Sequence, residues 1–584
     1  MKYQILLRIL DGICNEAPEE YTKYNIDESD DDSINRARSK AFIHLYLQVK
    51  CGISGFVKRH DLITDGTQDG GLDAYYIDKE NKKIFLIQSK FRSNPSNFEM
   101  KKITANDLVT MEIGRILKGE ETDSRGNAFS SKILKFQAEW SQISDQAHYD
   151  YKVIILGNLA AYSDEQIRRM IDNSSYEVFD FERTYKELVF PLCAGTYFDP
   201  REINITIDLS NKEQSTLKQQ IDTNLGKFPI RVLFVPTKEI GRIMSKYKNS
   251  ILRYNPRNFL SLSSNKINPK IRDSILNDKA NDFAIYNNGI TVIADSFELT
   301  ETTGTKNVGQ IIMKNPQIIN GGQTAYVLSQ IYDNQKGDYS VFEGKEVMLK
   351  VIILTSDTEL NVEFIEKISN ATNQQTKIEE ADRRSNDKIQ TFLESNIYDE
   401  FGYFYERKKG EFYNGLVKGY LGKDAIINRY DFLKAYLAWT GDASNARRSG
   451  AETLFKERKF KEILKNVSDI KRMIFAYKLF INVGKIKPGI RKLFGPTMKY
   501  GKMAIIAALG VIGISEDEIT LDTIDDLAIR RIEEIALFWD DFIGYATANP
   551  NNSDYLYNGE LLDQDFYFKG RTVNEDIKVF FGKI

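Results

Sequence analysis

The stretch DGGLDAYYIDKENKKIFLIQSKF, residues 69–91, reads as two short strands around a polar turn. DAYYI and KIFLIQSKF are rich in the β-branched and aromatic residues that strands favour, and KENK between them has turn character. Side chains alternate faces along a strand, so Gln88 and Lys90 share one. If Asp78 and Lys83 close the turn, counting back sets Asp73 opposite Gln88. A two-residue loop of Glu80 and Asn81 gives the same register, and a tighter closure around Asn81 and Lys82 sets Asp73 opposite Lys90. In each case Asp73, Gln88 and Lys90 point to one side.

An acid, an amide and an amine on one face suit metal-assisted phosphodiester hydrolysis. A carboxylate holds a divalent cation, a second oxygen ligand completes it, and a lysine positions the attacking water and stabilises charge on phosphorus. The alternative is a surface hairpin with a solvated Asp and Lys. Asp69, beside Gly70 and Gly71, reads as turn chemistry.

DGGLD followed by QSK resembles the D-(x)n-Q-x-K variant of the PD-(D/E)xK nuclease fold, as in Mrr-like restriction endonucleases. The resemblance implies an α/β restriction-endonuclease-like domain over residues 1–200. In it Asp73 would bind Mg2+ or Mn2+, with Gln88 standing where most members carry Glu or Asp and the Ser89 carbonyl as a further ligand. Lys90 would be the catalytic lysine. The helix expected ahead of the hairpin, roughly 34–50 with Ser33 or Asp32 as its cap, often supplies another acid in that family. Here its body has none, and the nearest acids are Asp31 and Asp32. That departure, with Gln88, leaves the number of metal ions open.

The totals bound the alternatives. A chain of 584 residues implies several domains. Lys+Arg 80 against Asp+Glu 83 gives a net charge of −3, so nucleic acid would need a local basic groove rather than a global field. Three scattered cysteines argue against a disulfide scaffold or zinc cluster and fit a reducing cytoplasm. Three histidines leave little material for zincin or Ser-His-Asp chemistry. The N-terminal MKYQILLRIL lacks the features of a signal peptide, and the apolar run from Met503 is about half the length of a membrane span, so it reads as a buried helix.

After Lys90 the sequence predicts a loop and then a helix over about 101–118. Arg92, Lys101 and Lys102 read either as phosphate contacts or as ordinary surface cations. YKVIILGN (151–158) is a buried strand feeding a helix capped by Ser163. INITIDLS and FPIRVLFVPT are further strands.

Beyond them stand YNPRNFL (254–260), NKINPKI (265–271), YNNGIT (286–291), NPQIINGGQT (315–324), ISNATNQQTKI (368–378) and ADRRSNDKIQ (381–390). Their order resembles the AIPR family, named for abortive infection phage resistance, across roughly residues 230–545. Mrr-like domains commonly accompany this module. Asn287–Gly289 and Asn320–Gly322 call for positive-φ turns, the second leading from a strand into a helix. Such a turn offers backbone N–H groups to an anion, with Asn288, Asn320, Gly321, Gly322, Gln323 and Thr324 around it. It also reads as a tight, internally bonded turn, and with no GK[ST] anywhere there is no P-loop. Arg383, Arg384, Asn386 and Asp387 read as a second polar cluster or as a cap with surface arginines. GYFYERKKGEFYN (402–414) reads as base-stacking or, preferably, as a hairpin with one wet face. KIKPGIRKLFGPTMKYGK (485–502) is a basic segment and a candidate nucleic-acid contact.

The expected organisation is a nuclease-like domain at 1–200, an AIPR α/β core at 201–430 and a helical region at 431–584. The expected function is an anti-phage, metal-dependent endonuclease acting on DNA, with the AIPR region sensing or regulating. The alternative is a catalytically silent nucleic-acid or nucleotide-binding sensor. Expected partners are double-stranded DNA, a phage-derived trigger or partner protein, and a second copy of the chain, with no membrane.

Overall fold

The structure is a computed structural model and describes residues 1–26, 30–79, 81–109, 111–198, 203–209, 216–255, 267–277, 280–301, 309–335, 337–354, 361, 364–365, 367–368, 380–558 and 560–583. The TNQQ motif and most of YNPRNFL lie outside the described residues. The chain forms two compact units: Met1–Asn373 with Gly410–Gly422, and Gln374–Lys409 with Lys423–Ile584.

The first unit opens with α1 (Lys2–Asn15), α2 (Asp31–Lys50) and α3 (Phe56–Asp61), then β1 (Ala74–Asp78) and β2 (Lys83–Ser89). Asp30 starts α2, its carboxylate accepting from the Asp32 N–H at 3.0 Å. The helix thus begins three residues earlier than the sequence predicts, because the third acid of the run is the cap and the next two favour the positive N-terminal end. β1 and β2 pair antiparallel with Asp78 opposite Lys83 and Ala74 opposite Ile87. Continued by one residue, this register sets Asp73 level with Gln88.

The loop expected after Lys90 contains a short helix, α4 (Pro95–Met100), and the helix expected over 101–118 is replaced by β3 (Lys102–Ile103), α5 (Ala105–Val109) and α6 (Ile113–Leu117). Asn94 caps α4, and Asp107 folds back on Thr104 to start a new turn, so local side-chain bonds outcompete a continuous helix. α7 (Ser131–Ser141) covers the sheet. β4 (Asp150–Leu156) pairs parallel with β2, as the continuous apolar run required. After the short β5 (Asn158–Leu159), α8 (Asp164–Met170) starts on a capping box of Ser163 and Gln166. β6 (Ser175–Phe179) pairs parallel with β4, giving the order β1-β2-β4-β6. Leu86, Val153, Ile155, Phe136 and Trp140 form the core beneath this sheet.

A polar chain runs beside that core. Arg59, fully buried, donates from Nε to His44 Nδ1 at 3.1 Å and from Nη2 to Glu16 at 2.8 Å. Because arginine only donates, His44 carries its proton on Nε2 and gives it to Tyr24 Oη at 2.8 Å. Tyr24 in turn donates to His60 Nδ1 at 2.9 Å. Burial, and then the Arg59 guanidinium, drive the His44 imidazole down to about 2.

The rest of the first unit is mixed α/β. A five-stranded sheet runs in the order Gln317–Asn320, Ile290–Ala294, Glu346–Ile353, Gly226–Pro236, Leu217–Thr223, and a three-stranded one joins Ser296–Glu301, Gly309–Lys314 and Asn204–Asp208. Helix Thr237–Tyr247 packs on helix Gly322–Asn334 against their shared core. Residues 410–422 return as a strap to the first 200 residues. Phe412 meets Phe190 with ring centroids 5.8 Å apart, the Tyr420 ring lies against Gly12, and Lys418 reaches Glu16 at 3.1 Å.

The second unit is mainly helical. Arg429–Trp439, Ile470–Asn482, Lys502–Ile512, Ile524–Ala536 and Val573–Phe581 surround one core that includes Trp539. The run from Met503 is a buried helix, and among the described residues no helix is long and apolar enough to cross a membrane. The hairpin expected within 402–414 is absent. Phe404–Glu406 instead pairs parallel with Ile426–Asn428. Tyr403, Phe404, Tyr405 and Phe412 are buried, so these aromatics pack rather than wait for bases.

Candidate functional site

The turn from Thr64 to Asp73 is built by its own acids. Asp69 accepts from the Gly66 N–H at 3.0 Å and the Gly71 N–H at 2.8 Å, while Gly70 and Gly71 take positive φ. A Cβ on Gly70 would press on Phe129 and Ile116. The Asp73 N–H donates to the Ile87 carbonyl at 2.9 Å, and its carboxylate accepts from the Ser89 N–H at 2.6 Å. Asp73 is therefore fastened to the end of β2 through both backbone and side chain. Its own carbonyl accepts from the Thr64 and Asp65 N–H groups, which draws Asp65 in.

The result is a cluster the sequence reading missed: Asp65, Asp69 and Asp73 each offer a carboxylate oxygen, all within 4.8 Å of one another. Asp69 has the turn role expected of it and this second position as well. The recurrence of Asp at every fourth residue from 65 to 73 was the available signal. Burial pushes the Asp73 carboxyl up to about 7, and the Asp65 and Asp69 charges add to it, against the Ser89 N–H and Lys90. Burial raises Asp69 too.

Gln88 is only 2 % exposed. Its Nε2 donates to the Asp107 carbonyl at 2.6 Å, while its Oε1 is buried without a partner. Lys90 is fixed by its N–H to the Leu156 carbonyl at 2.9 Å, and its Nζ stands 3.7 Å from Asp107 Oδ1. Gln88 and Lys90 thus share a face as predicted, and both converge on α5. Asp107, absent from the sequence reading, also accepts from the Thr104 N–H and hydroxyl at 3.0 Å, and the Thr104 N–H holds its carboxyl below the usual range. Ser89 Oγ is buried and unpartnered. Arg92 is half-buried, and Lys101 and Lys102 are exposed on the segment leading to α5.

An oxygen set of this kind fits a hard divalent cation such as Mg2+ or Mn2+. The observation that carries the fit is Gln88 Oε1, a buried acceptor that ordinarily demands a partner. The body of α2 supplies no acid. It supplies Lys40, which pairs with Asp65.

The glycine motifs of the later chain meet one another. Gly289 (φ +80°) and Gly321 (φ +85°) are packed so closely that a Cβ on Gly321 would touch the Gly289 carbonyl. Asn287 accepts from the Gly289 N–H at 3.0 Å and donates to Thr324 Oγ1 at 3.2 Å. Asn320 Oδ1 accepts from the Gly321 N–H at 2.8 Å, and Asn255 packs beside Gly322. Thr324 is buried, Gly322 and Gln323 are half-buried, and Asn288 is exposed.

Residues 252–527 match the family model AIPR, described as AIPR protein. The match supports the AIPR family for this chain and spans the YNNGIT, NPQIINGGQT and RSND motifs. No curated protein and no solved structure matches the chain. Within the AIPR match, Asp387 caps helix Lys388–Phe401 and Arg384 donates to the Phe455 carbonyl at 2.8 Å, while Arg383 pairs with Glu380. In the basic segment Lys485, Lys487, Arg491, Lys492 and Lys499 are exposed, whereas Lys502 lies over the Phe480 ring at 3.7 Å.

Proposed function

We propose that this protein is an anti-phage defence nuclease. In this reading the first 200 residues form an Mrr-like PD-(D/E)xK domain that hydrolyses DNA phosphodiesters with Mg2+ or Mn2+, and the AIPR region senses or regulates. The AIPR match supports the abortive-infection role. For the chemistry, the observation that carries the reading is the meeting of Asp73, Gln88 and Lys90 at one end of a hairpin, with Gln88 Oε1 buried and unpartnered. The hairpin is continued by two parallel strands in one α/β sheet, which supports that reading.

A bound divalent cation would supply polarisation of a phosphoryl oxygen and a water of lowered pKa. Asp73 and Gln88 would hold it, with the Ser89 carbonyl beside them. Lys90, steered by Asp107, would orient the attacking water and meet the charge developing on phosphorus. Arg92, Lys101 and Lys102 would take the flanking phosphates.

One observation favours a silent binder instead: the residue level with Asp73 is the neutral Gln88. A cleavage assay separates the two. Purified protein is offered plasmid, linear duplex, single-stranded DNA and RNA, with Mg2+ or Mn2+ against EDTA, alongside Asp73→Ala and Lys90→Ala. Metal-dependent cleavage lost in both variants is the expected result. Full phage protection by the Lys90→Ala protein would overturn the nuclease reading and leave the binder.

A further inference from the structure

Three carboxylates within 4.8 Å of one another repel, and a proton or a cation among them relieves the repulsion. Among the described residues, the ion pair made to this trio comes from α2, where Lys40 Nζ bonds Asp65. The Lys40 side chain is 15 % exposed, against 39 % for Asp65. Lys90, the other nearby amine, is turned to Asp107. Gln88, level with Asp73 across the hairpin, keeps an unpartnered buried oxygen. An unpartnered buried acceptor on the neighbouring strand and an internal counter-charge on Asp65 thus accompany the trio.

We infer that Lys40 is a displaceable counter-ion of a divalent-cation site formed by Asp65, Asp69, Asp73 and Gln88, and that Lys40 and the metal compete for Asp65. This rests on the reading of the site as a metal centre and adds to it two ligands and the residue that sets their affinity. A lysine ammonium and a divalent cation cannot share one carboxylate without facing each other across it. Lysine is suited to yielding, since its charge sits on a flexible four-carbon stem and makes no planar fork with the acid. The two acids of the 65–73 turn also restore the negative charge that Gln88 and the acid-free body of α2 withhold.

The test is Mn2+ titration of the full chain by calorimetry, with the spectrum of bound Mn2+ as a second readout. Lys40→Met removes the competitor at similar volume and should tighten Mn2+ binding about tenfold or more, while Lys40→Arg, whose fork grips Asp65, should bind no more tightly than the parent. Asp65→Asn loses a ligand and should bind about tenfold more weakly. Mn2+ bound by the parent with unchanged or weaker affinity in Lys40→Met, or unchanged affinity in Asp65→Asn, overturns the exchange and leaves the metal centre standing. Absence of Mn2+ binding in both the parent and Lys40→Met overturns the metal reading itself, and this inference with it.

Discussion

Lys90 and Asp107 show how little separates a surface charge from a working one. The ammonium is 36 % exposed and its partner lies 3.7 Å away, so the pair contributes little to stability. On the nuclease reading proposed above, Lys90→Ala should lower cleavage by about a hundredfold or more, the scale seen when a charge-stabilising donor is removed, while leaving the urea midpoint close to that of the parent. A large fall in the midpoint would assign Lys90 to the fold instead. Asp107→Asn keeps the main-chain carbonyl that holds Gln88 but weakens the hold on Lys90. It should leave substrate affinity near normal and lower turnover by about tenfold, with the pH profile displaced. An unchanged profile would show that Lys90 needs no steering. Asp73, Gln88 and Lys90 were legible because they lie on one hairpin whose register can be counted. Asp65 left only the fourth-residue recurrence of Asp as a trace, and Asp107 and Lys40 left none, because a one-turn helix and a long helix bring them in through tertiary packing that residue spacing does not encode.

Among the elements, strands and long apolar helices followed their patterns, and short segments did not. Residues 101–118 carry enough helical residues for one helix, yet the Asp107 turn on Thr104 and the strand Lys102–Ile103 divide them, while Asn94 and Pro95 start a short helix where a loop was expected. The aromatic segment at 402–414 carried a wet-hairpin pattern but became core, because its alternation is met by helices on both sides rather than by solvent. Helix Lys502–Ile512 crosses helix Arg429–Trp439 at Gly510, where an added Cβ would run into the Trp439 carbonyl. Gly510→Ala should cost about 3 kcal/mol, at the upper end of overpacking costs, and lower the thermal midpoint. A midpoint equal to the parent's would mean that the two helices slide apart freely. Gly321 faces the same crowding against Gly289 with a positive φ in addition, so the NNG and NGGQT motifs are coupled through backbone contact whatever else they bind.

For the molecule as a whole, acid is the revealing variable. His44 is neutral in the fold, its proton affinity driven down to about 2, while in the unfolded chain it titrates near 6.5. Above 6.5 neither state is protonated and the full stability is present. As pH falls below 6.5 only the unfolded chain gains the proton, so stability drops by about 1.4 kcal/mol for each pH unit. Between pH 7 and pH 5 this residue alone should remove about 2 kcal/mol. His44→Gln, which still accepts from Arg59 and donates to Tyr24, should flatten the difference between urea midpoints at the two pH values. Equal slopes for parent and variant would remove His44 as the cause.

The strap at 410–422 has a consequence in time. Its neighbours on both sides in the chain belong to the other unit, yet its contacts are with Gly12, Glu16 and Phe190. Ribosome-arrested chains ending at residue 373 should therefore be cut by protease within the first 200 residues, and chains extending well past residue 422 should resist. Equal resistance would make the strap dispensable. At about 5–20 residues per second, translation from 373 to 422 takes roughly 2–10 s. During that interval the segment bearing the acidic site is already outside the ribosome and still unfinished.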